Sequence, residues 1–379
     1  MSVRTALVVP AWYPTERDPL SGPFVRDHTR AAAAYGHRMV VLVDEGPSER
    51  VRGRGRGLVQ LEEGRDGPLR LVHVTYHPRA IRVAGVLAVL RVARRLRREG
   101  TPVDLLHAHI HRMGWVAVLA GMALRRPVVI TENSSEWPRR LMSPGRLRRA
   151  KFALEHAALV CPVNLRLQQA IESYGVRARF RIVPNTVDAS VFRPGPAPTV
   201  DDGPRLVNVA RHVEVKGLDV LLRAFAAVAT TTPTAVLELV GDGPLTPSLR
   251  QLAAELGIAG RVEFSGPARP PEIVARLHAS DVFVLSSHSE NMPLAVLEAL
   301  CCGLPVAATD VGGVPEAVGE DGALAPPNDP AALAEAIRDV LGRLDAYDHA
   351  DIARRAADRW SFEAVGAIWD EIYRSLARR

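Results

Sequence analysis

Two carboxylates and two cations carry most of the chemistry legible in this chain. Glu290 and Glu298 lie in Ser289-Glu-Asn-Met-Pro-Leu-Ala-Val-Leu-Glu-Ala-Leu-Cys-Cys-Gly-Leu-Pro-Val306. A buried strand, Val282–Ser286, precedes this segment, and a helix opens near Pro293, a residue tolerated in the first helical turn. Free backbone amides at such a start can bind an anion or hydroxyl oxygens. At helical rise the two carboxylates stand about 10–12 Å apart, suited to opposite ends of one elongated ligand and too distant to share a metal ion. Upstream, Arg211 and Lys216 stand in Asn208-Val-Ala-Arg-His-Val-Glu-Val-Lys-Gly217, which reads as strand, short loop and helix start. An arginine fork and a lysine point charge there can converge on a phosphate. Of 48 basic residues only Lys151 and Lys216 are lysines, which sets the loop lysine apart from the arginine background. Val240-Gly-Asp-Gly-Pro244 is a third element, a strand followed by a glycine turn that lets backbone approach a ligand.

The elements that must position these residues alternate short β-branched runs with helical segments, the pattern of a parallel α/β architecture. In the first half, Thr5–Pro10, Arg38–Val43, Leu69–Thr75, Val103–Ala108, Pro127–Thr131, Leu159–Val163 and Arg181–Val183 read as strands; Val25–Tyr35, Val83–Arg98 and Met113–Ala123 read as helices. A Pro- and Gly-rich stretch, Phe192–Thr199 continuing to Pro204, reads as a linker. The alternation then starts afresh at Leu206–Ala210 and runs to the late helices Pro330–Gly342 and Phe362–Arg378. At 379 residues, two or three domains are expected. Ligands of open parallel sheets bind at the C-terminal ends of the strands, so two such halves would make a cleft between those ends.

Together these motifs resemble the retaining glycosyltransferases of the GT-B fold, in particular family 4. The resemblance rests on Arg211, Lys216–Gly217, Gly241–Pro244, Glu290 with Glu298, and Gly312-Gly-Val-Pro-Glu316. It extends through Val183-Pro-Asn-Thr-Val-Asp188 with Phe192, and Ser21-Gly-Pro-Phe-Val-Arg26, and so covers nearly the whole chain. The sequence departs at Ala210, where the family usually has glycine, and at Asn291-Met292-Pro293, which replaces the commoner Gly-Phe-Gly. The resemblance implies two Rossmann-like α/β domains facing each other across a cleft: an acceptor-side domain over 1–190, a nucleotide-sugar-binding domain over 191–361, and a helix over 362–379 crossing back to the first. It implies that Arg211 and Lys216 hold the donor diphosphate and stabilise the charge of the departing nucleotide. Glu298 would accept hydrogen bonds from the ribose, and Glu290 would contact the transferred sugar. Backbone amides of Asn291, Met292, Pro293 and Leu294 would bind neighbouring hydroxyls. Gly22 and Gly241 would let backbone approach the donor. His109 matches the family histidine beside the transferred sugar. Asn133, in Thr131-Glu132-Asn133, stands where the family places another histidine, and Glu132 and Asn133 are candidate acceptor-side residues. The implied activity transfers a sugar from a UDP- or GDP-sugar to a glycan, lipid-linked or small-molecule acceptor. It would proceed by front-face substitution with retention and need no metal or cofactor, the cation pair neutralising the diphosphate.

Composition narrows the classes further. Three cysteines, Cys161, Cys301 and Cys302, make neither a disulfide framework nor a usual zinc site. His107, His109 and His111 alternate along a strand end and are not expected all to share a face, so no metal ligand set is expected. The longest apolar stretch, Gly114–Leu124, is too short to span a bilayer, and no secretory leader is visible, so a cytoplasmic or peripheral protein is expected. Residues 1–190 carry 31 bases against 16 acids, and 191–379 carry 17 against 26. Arg91–Arg98, Arg139–Arg140 and Arg146–Lys151 concentrate the positive charge, and such a face suits an anionic membrane surface or an anionic acceptor. Arg52–Gly57 is short and lacks interleaved aromatics, so it reads as a surface loop and no nucleic-acid partner is expected. Taken singly, each motif has a plainer reading: Glu290 and Glu298 as solvated charges, His109 as a structural histidine, Gly312–Gly313 as turn glycines. Two rivals are a catalytically inactive nucleotide-sugar-binding partner, which would not hydrolyse donor, and a dinucleotide oxidoreductase. The second is disfavoured because Pro10-Ala-Trp-Tyr-Pro14, not a glycine fingerprint, follows the first strand.

Overall fold

The computed structural model describes residues 3–15, 21–48, 51, 58–81, 83–195 and 203–377. Arg52–Gly57, and 196–202 of the expected linker, lie outside them. The chain divides into two compact units, Met1–Thr186 with Phe362–Arg379, and Val187–Ser361.

The first unit is built on β1 (Thr5–Pro10), α1 (Pro23–Ala34), β2 (Arg38–Pro47), β3 (Val59–Asp66), β4 (Leu69–Tyr76), α2 (Ala84–Arg98), β5 (Leu105–His109), α3 (His111–Leu124), β6 (Val128–Glu132), α4 (Pro144–Glu155), β7 (Leu159–Pro162) and α5 (Leu165–Glu172). Its sheet has the order β3-β4-β2-β1-β5-β6-β7. All pairings are parallel except β3 with β4. Strands covered on both faces read as continuous apolar runs, and every residue of β1, β5 and β6 is buried. Two of those in β5 are His107 and His109.

The second unit comprises β8 (Arg205–Val209), α6 (Leu218–Thr231), β9 (Val236–Val240), α7 (Thr246–Glu255), β10 (Val262–Gly266), α8 (Pro270–His278), β11 (Val282–Leu285), α9 (Leu294–Cys301), β12 (Val306–Thr309), α10 (Val314–Val318), β13 (Gly322–Ala325), α11 (Pro330–Leu341) and α12 (His349–Trp360). Its six strands run in the order β10-β9-β8-β11-β12-β13, all parallel. This is a doubly wound sheet whose strand order reverses between β8 and β11. Its core joins Leu206, Leu221, Phe225, Leu237, Leu239, Val284 and Ile337.

The last helix, α13 (Phe362–Leu376), packs on α1 within the first unit. Gly366 makes this possible: a Cβ there would stand 2.5 Å from the Ala31 carbonyl oxygen. Trp369, Ile372 and Tyr373 join Val8, Val25, Val41 and Leu105 in the core.

Three features depart from the sequence reading. Arg181–Val183 is not a strand. The amides of Arg181 and Val183 donate to Val160 and Pro162, but only Phe180 forms a bridge to β7. Pro162 and Pro184 lack the N–H groups a longer ladder would need. β3 was not anticipated, because it is a polar edge strand without an apolar face. The stretch Arg146–Lys151, expected only as a basic cluster, forms the middle of α4.

Candidate active site

In the second unit the loops after β8 and β11 meet at the point where strand order reverses, the position that binds ligands in open α/β sheets. The β8 loop passes Ala210 and Arg211, makes a 3₁₀ turn over Glu214–Lys216, and enters α6 through left-handed Gly217 at φ 57°. Three bonds tie it to the β11 loop. Ser286 Oγ donates to the Lys216 carbonyl at 2.9 Å, the His288 amide donates to the Val215 carbonyl at 2.9 Å, and Lys216 Nζ donates to Glu290 Oε1 at 2.5 Å. Ser287 Oγ donates to the same carboxylate oxygen at 2.8 Å. Lys216 and Glu290, 74 residues apart in sequence, are thus brought into one ion pair, each side chain partly open to solvent.

Glycines shape this arrangement. Gly241 has φ 130°, and a Cβ on it would lie 1.9 Å from the Ala210 carbonyl oxygen. Ala210 itself is not left-handed, so alanine fits where the family usually has glycine. Gly312, at φ 52°, packs under the β11 loop; a Cβ there would lie 2.0 Å from the Glu290 carbonyl oxygen and 2.7 Å from that of Asn291. The Gly313 amide donates to the Asn291 carbonyl. The Gly312–Gly313 pair therefore moulds the backbone that carries Glu290.

Asn291, Met292 and Pro293 are buried, and α9 begins at Leu294. Pro293 has no N–H, so of the four amides expected to face a ligand only those of Asn291, Met292 and Leu294 can donate. Glu298 is half-buried on α9. Arg211 is exposed and makes no ion pair among the described residues, so it does not join the Lys216–Glu290 contact. Sequence reasoning missed Ser286, Ser287 and His288, which hold the two loops together; the Ser-Ser-His-Ser run directly after a buried strand was the available signal. It also missed His212, which is fully buried with Nδ1 bonded to Thr246 Oγ1 at 2.8 Å; burial lowers its pKa.

In the first unit the corresponding reversal lies between β1 and β5. Gly22 caps α1 in the left-handed region, where a Cβ would meet the Trp12 carbonyl at 2.9 Å. His109 ends β5 fully buried, and neither ring nitrogen has a hydrogen-bond partner among the described residues. Its ring stacks on His107 at 4.4 Å and faces His28 at 5.9 Å. Residues i and i+2 of a strand share a face, which explains the stack; His111 lies beyond the strand and turns elsewhere. Burial first, then the neighbouring His107 and His28, hold His109 well below the usual imidazole range, so it is neutral at pH 7. Burial likewise pushes His28 down to about 4 and His107 down to about 3.

The surrounding network fixes tautomers. The Trp369 indole N–H donates to His28 Nδ1 at 3.1 Å, which leaves the ring proton on Nε2, 3.4 Å from Asn185 Oδ1. Asn133 Nδ2 donates to the same oxygen at 3.2 Å. His107 bridges Tyr373 OH and Thr131 Oγ1, each at 2.7 Å. Between the two β5 histidines and α3 stands Ile110 at φ 70°, a strained conformation for a β-branched residue. Glu132 is fully buried. Its carboxylate accepts from the His111 amide at 3.0 Å, His111 Nδ1 at 2.9 Å and the Ser134 amide at 2.9 Å. Glu132 thus organises the start of α3 rather than presenting a free carboxylate. Burial disfavours the charged His111 ring, yet Glu132 and Glu136 together raise its pKa. Among the described residues no group of three His, Cys, Asp or Glu side chains is arranged to hold a metal ion.

Two parallel α/β units, with a lysine–carboxylate pair at the strand reversal of one and a buried histidine without a hydrogen-bond partner among the described residues at that of the other, make a frame for group transfer, and comparison with known proteins gives the class. Residues 22–191 match the model described as Glycosyltransferase Family 4, and residues 203–343 match the one described as Glycosyl transferases group 1. The chain is 31% identical over 306 residues to the D-inositol 3-phosphate glycosyltransferase of Thermobispora bispora, covering 73% of this chain and 71% of that protein. It is 34% identical over 282 residues to the enzyme of the same name from Acidothermus cellulolyticus, covering 67% of this chain and 62% of that one. Among solved structures, that of Anabaena Alr3699/HepE in complex with UDP superposes with a TM-score of 0.78 at 20% identity, covering 99% of this chain and all of the other. Sucrose-phosphate synthase from Thermosynechococcus elongatus gives 0.72 at 22% identity, covering 98% and 99%. The fold is GT-B, and the chain belongs to glycosyltransferase family 4.

Proposed function

We propose that this glycosyltransferase takes a UDP- or GDP-sugar and transfers its sugar with retention, without a metal ion or cofactor. The observation that carries this reading is the Lys216–Glu290 pair at the strand reversal of the second unit. A lysine there supplies positive charge to a diphosphate, and its carboxylate partner orients it and offers an acceptor to sugar hydroxyls. Arg211, exposed and without an ion pair among the described residues, adds a second cation. Glu298 would accept from the ribose, and the amides of Asn291, Met292 and Leu294 would bind sugar hydroxyls. Gly22 and Gly241 would let backbone approach the donor. Neutral His109, with neither ring nitrogen hydrogen-bonded among the described residues, suits a hydrogen bond to the transferred sugar. Asn133, linked to Asn185, would serve the acceptor side. A UDP donor is favoured by the fold neighbour, which was crystallised with UDP and with UDP-glucose. The test is a thermal-shift panel of nucleotide sugars, in which one base must raise the melting temperature selectively; no shift with any of them would count against the reading.

The acceptor is a glycan, a lipid-linked glycan or a small molecule. We further infer peripheral attachment to the inner face of an anionic membrane. Arg139, Arg140, Leu141, Arg148 and Arg149 are all exposed in the first unit, and exposed basic residues suit anionic headgroups. By contrast, Arg70 and Arg95 are paired with Glu63 and Glu99. No described helix is long and apolar enough to cross a membrane. Flotation with anionic vesicles would detect salt-sensitive binding, and its absence would remove the membrane part of the proposal.

A further inference from the structure

In the second unit the loops after β8 and β9 are joined by contacts that involve neither Lys216 nor Glu290. Hydrogen bonding between the two chains continues beyond the strands: the Ala210 amide donates to the Val240 carbonyl at 3.0 Å, and the His212 amide to the Asp242 carbonyl at 2.9 Å. The Leu245 amide donates back to the His212 carbonyl at 3.1 Å. Both glycines of the β9 turn permit this approach. A Cβ on Gly241 would lie 1.9 Å from the Ala210 carbonyl oxygen, and one on Gly243 would lie 2.4 Å from that of His212. Arg211 is therefore bracketed by two pinned neighbours. Its side chain is exposed while that of His212 is fully buried, as expected where successive residues of an extended segment face opposite ways.

The His212 side chain closes the arrangement, and its surroundings fix its tautomer. Thr246 Oγ1, at the first residue of α7, lies 2.6 Å from Asp242 Oδ1, 2.8 Å from His212 Nδ1 and 3.2 Å from the Gly243 amide nitrogen. Hydrogen bonds from Thr246 and Gly243 hold the Asp242 carboxyl below its usual range, so it is ionised at pH 7 and can only accept. The single hydroxyl proton of Thr246 therefore goes to Asp242, and Thr246 Oγ1 must accept from His212 Nδ1–H. Burial keeps the ring neutral at pH 7. The reverse tautomer would set two lone pairs face to face and leave an Nε2–H buried without a partner among the described residues. We propose that His212 is a positioning residue for donor binding: its Nδ1–H bond to Thr246 locks the β8 loop to the Gly241–Gly243 turn and so holds Arg211 toward the donor diphosphate. The inference rests on the transferase reading given above and adds a residue to that site. Leucine at this position would fill the buried space but give Thr246 no donor, whereas asparagine carries an N–H close to where the imidazole carries its own.

A double-substitution cycle on the binding of UDP and GDP, read by calorimetry, tests this. His212→Leu should weaken the nucleotide that binds the wild type by about tenfold, and His212→Asn should recover most of that loss. In an Arg211→Ala background the cost of His212→Leu should shrink to about threefold or less, because its effect passes through Arg211. A merely structural role would cost the same in both backgrounds. Thr246→Val, at a half-buried position, removes the acceptor instead and should cost as much as His212→Leu, so the test stands if the leucine variant does not fold. Ring-nitrogen NMR spectra, with the His212 signals assigned by their loss in His212→Asn, should show the proton on Nδ1. Equal cost in both backgrounds, no recovery with asparagine, or a proton on Nε2 would overturn the proposal and leave the transferase reading standing. A wild type that binds neither nucleotide would refute the transferase reading and the donor role of His212 with it, whichever nitrogen carries the proton.

Discussion

Gly312 and Gly36 separate two reasons why a glycine is needed. Both are left-handed, at φ 52° and 82°, but Gly36 has open space where a Cβ would be, while Gly312 lies against the Glu290 and Asn291 carbonyls. Alanine at either position should cost roughly 1 kcal/mol or more in backbone strain. Only Gly312→Ala should also move the loop carrying Glu290, so turnover should fall at least tenfold there and stay near wild type in Gly36→Ala; denaturant unfolding with a turnover assay measures both. Equal loss in the two variants would mean that Gly312 serves the fold alone. At this scale the second unit was well signposted in the sequence. Lys216, Glu290 and the paired glycines lie in short motifs whose chemistry is local. The histidine cluster was not, because His28, Asn185 and Trp369 come from α1, a loop and α13, and only tertiary packing joins them. Nothing near Trp369 in sequence signals that its indole would set the tautomer of His28.

The α13 helix illustrates what an element contributes beyond its own residues. It places Trp369 and Tyr373 against His28 and His107, so it completes the core and orders the histidines together. Trp369→Ala should destabilise the first unit by roughly 3–5 kcal/mol through lost burial and the cavity left behind. Trp369→Phe should recover most of that stability without restoring the N–H donor to His28 Nδ1. The comparison is read by chemical denaturation, and equal stability of the two variants would show that packing is not the main term. Apolar periodicity made the central strands and α13 legible. It failed at β3, where alternation at a polar edge leaves no buried face, and at Arg181–Val183, where prolines stop a ladder that β-branched residues alone would suggest. α4 was hidden by its own charge, since arginines dominate the exposed face of that helix.

The whole chain divides its charge unevenly, 31 bases to 16 acids over 1–190 and 17 to 26 beyond, and its titration should be uneven too. His28 and His107 are held neutral in the first unit, with pKa values pushed down by burial to about 4 and about 3. Their unfolded forms take up protons near pH 6.5, so stability falls as pH drops below that value, and His28 alone should cost roughly 3 kcal/mol by pH 4. His111 acts in the opposite sense. Its pKa is raised in the fold, so its contribution is complete below the unfolded value and is lost as pH rises through the folded one. Four of the five tryptophans, all but Trp360, lie in the first unit, so their emission reports mainly its unfolding. Acidification from pH 7 to 4.5 should lower that midpoint in the wild type and lower it less in His28→Gln; the same slope in both would contradict the buried neutral ring. The most direct test of the central claim is release of free nucleotide from UDP- and GDP-sugars by the purified enzyme, compared with Lys216→Ala. One donor should be turned over by the wild type and at least ~100-fold more slowly by the variant, with the melting temperature unchanged; release from neither donor, or equal release by both proteins, would contradict it.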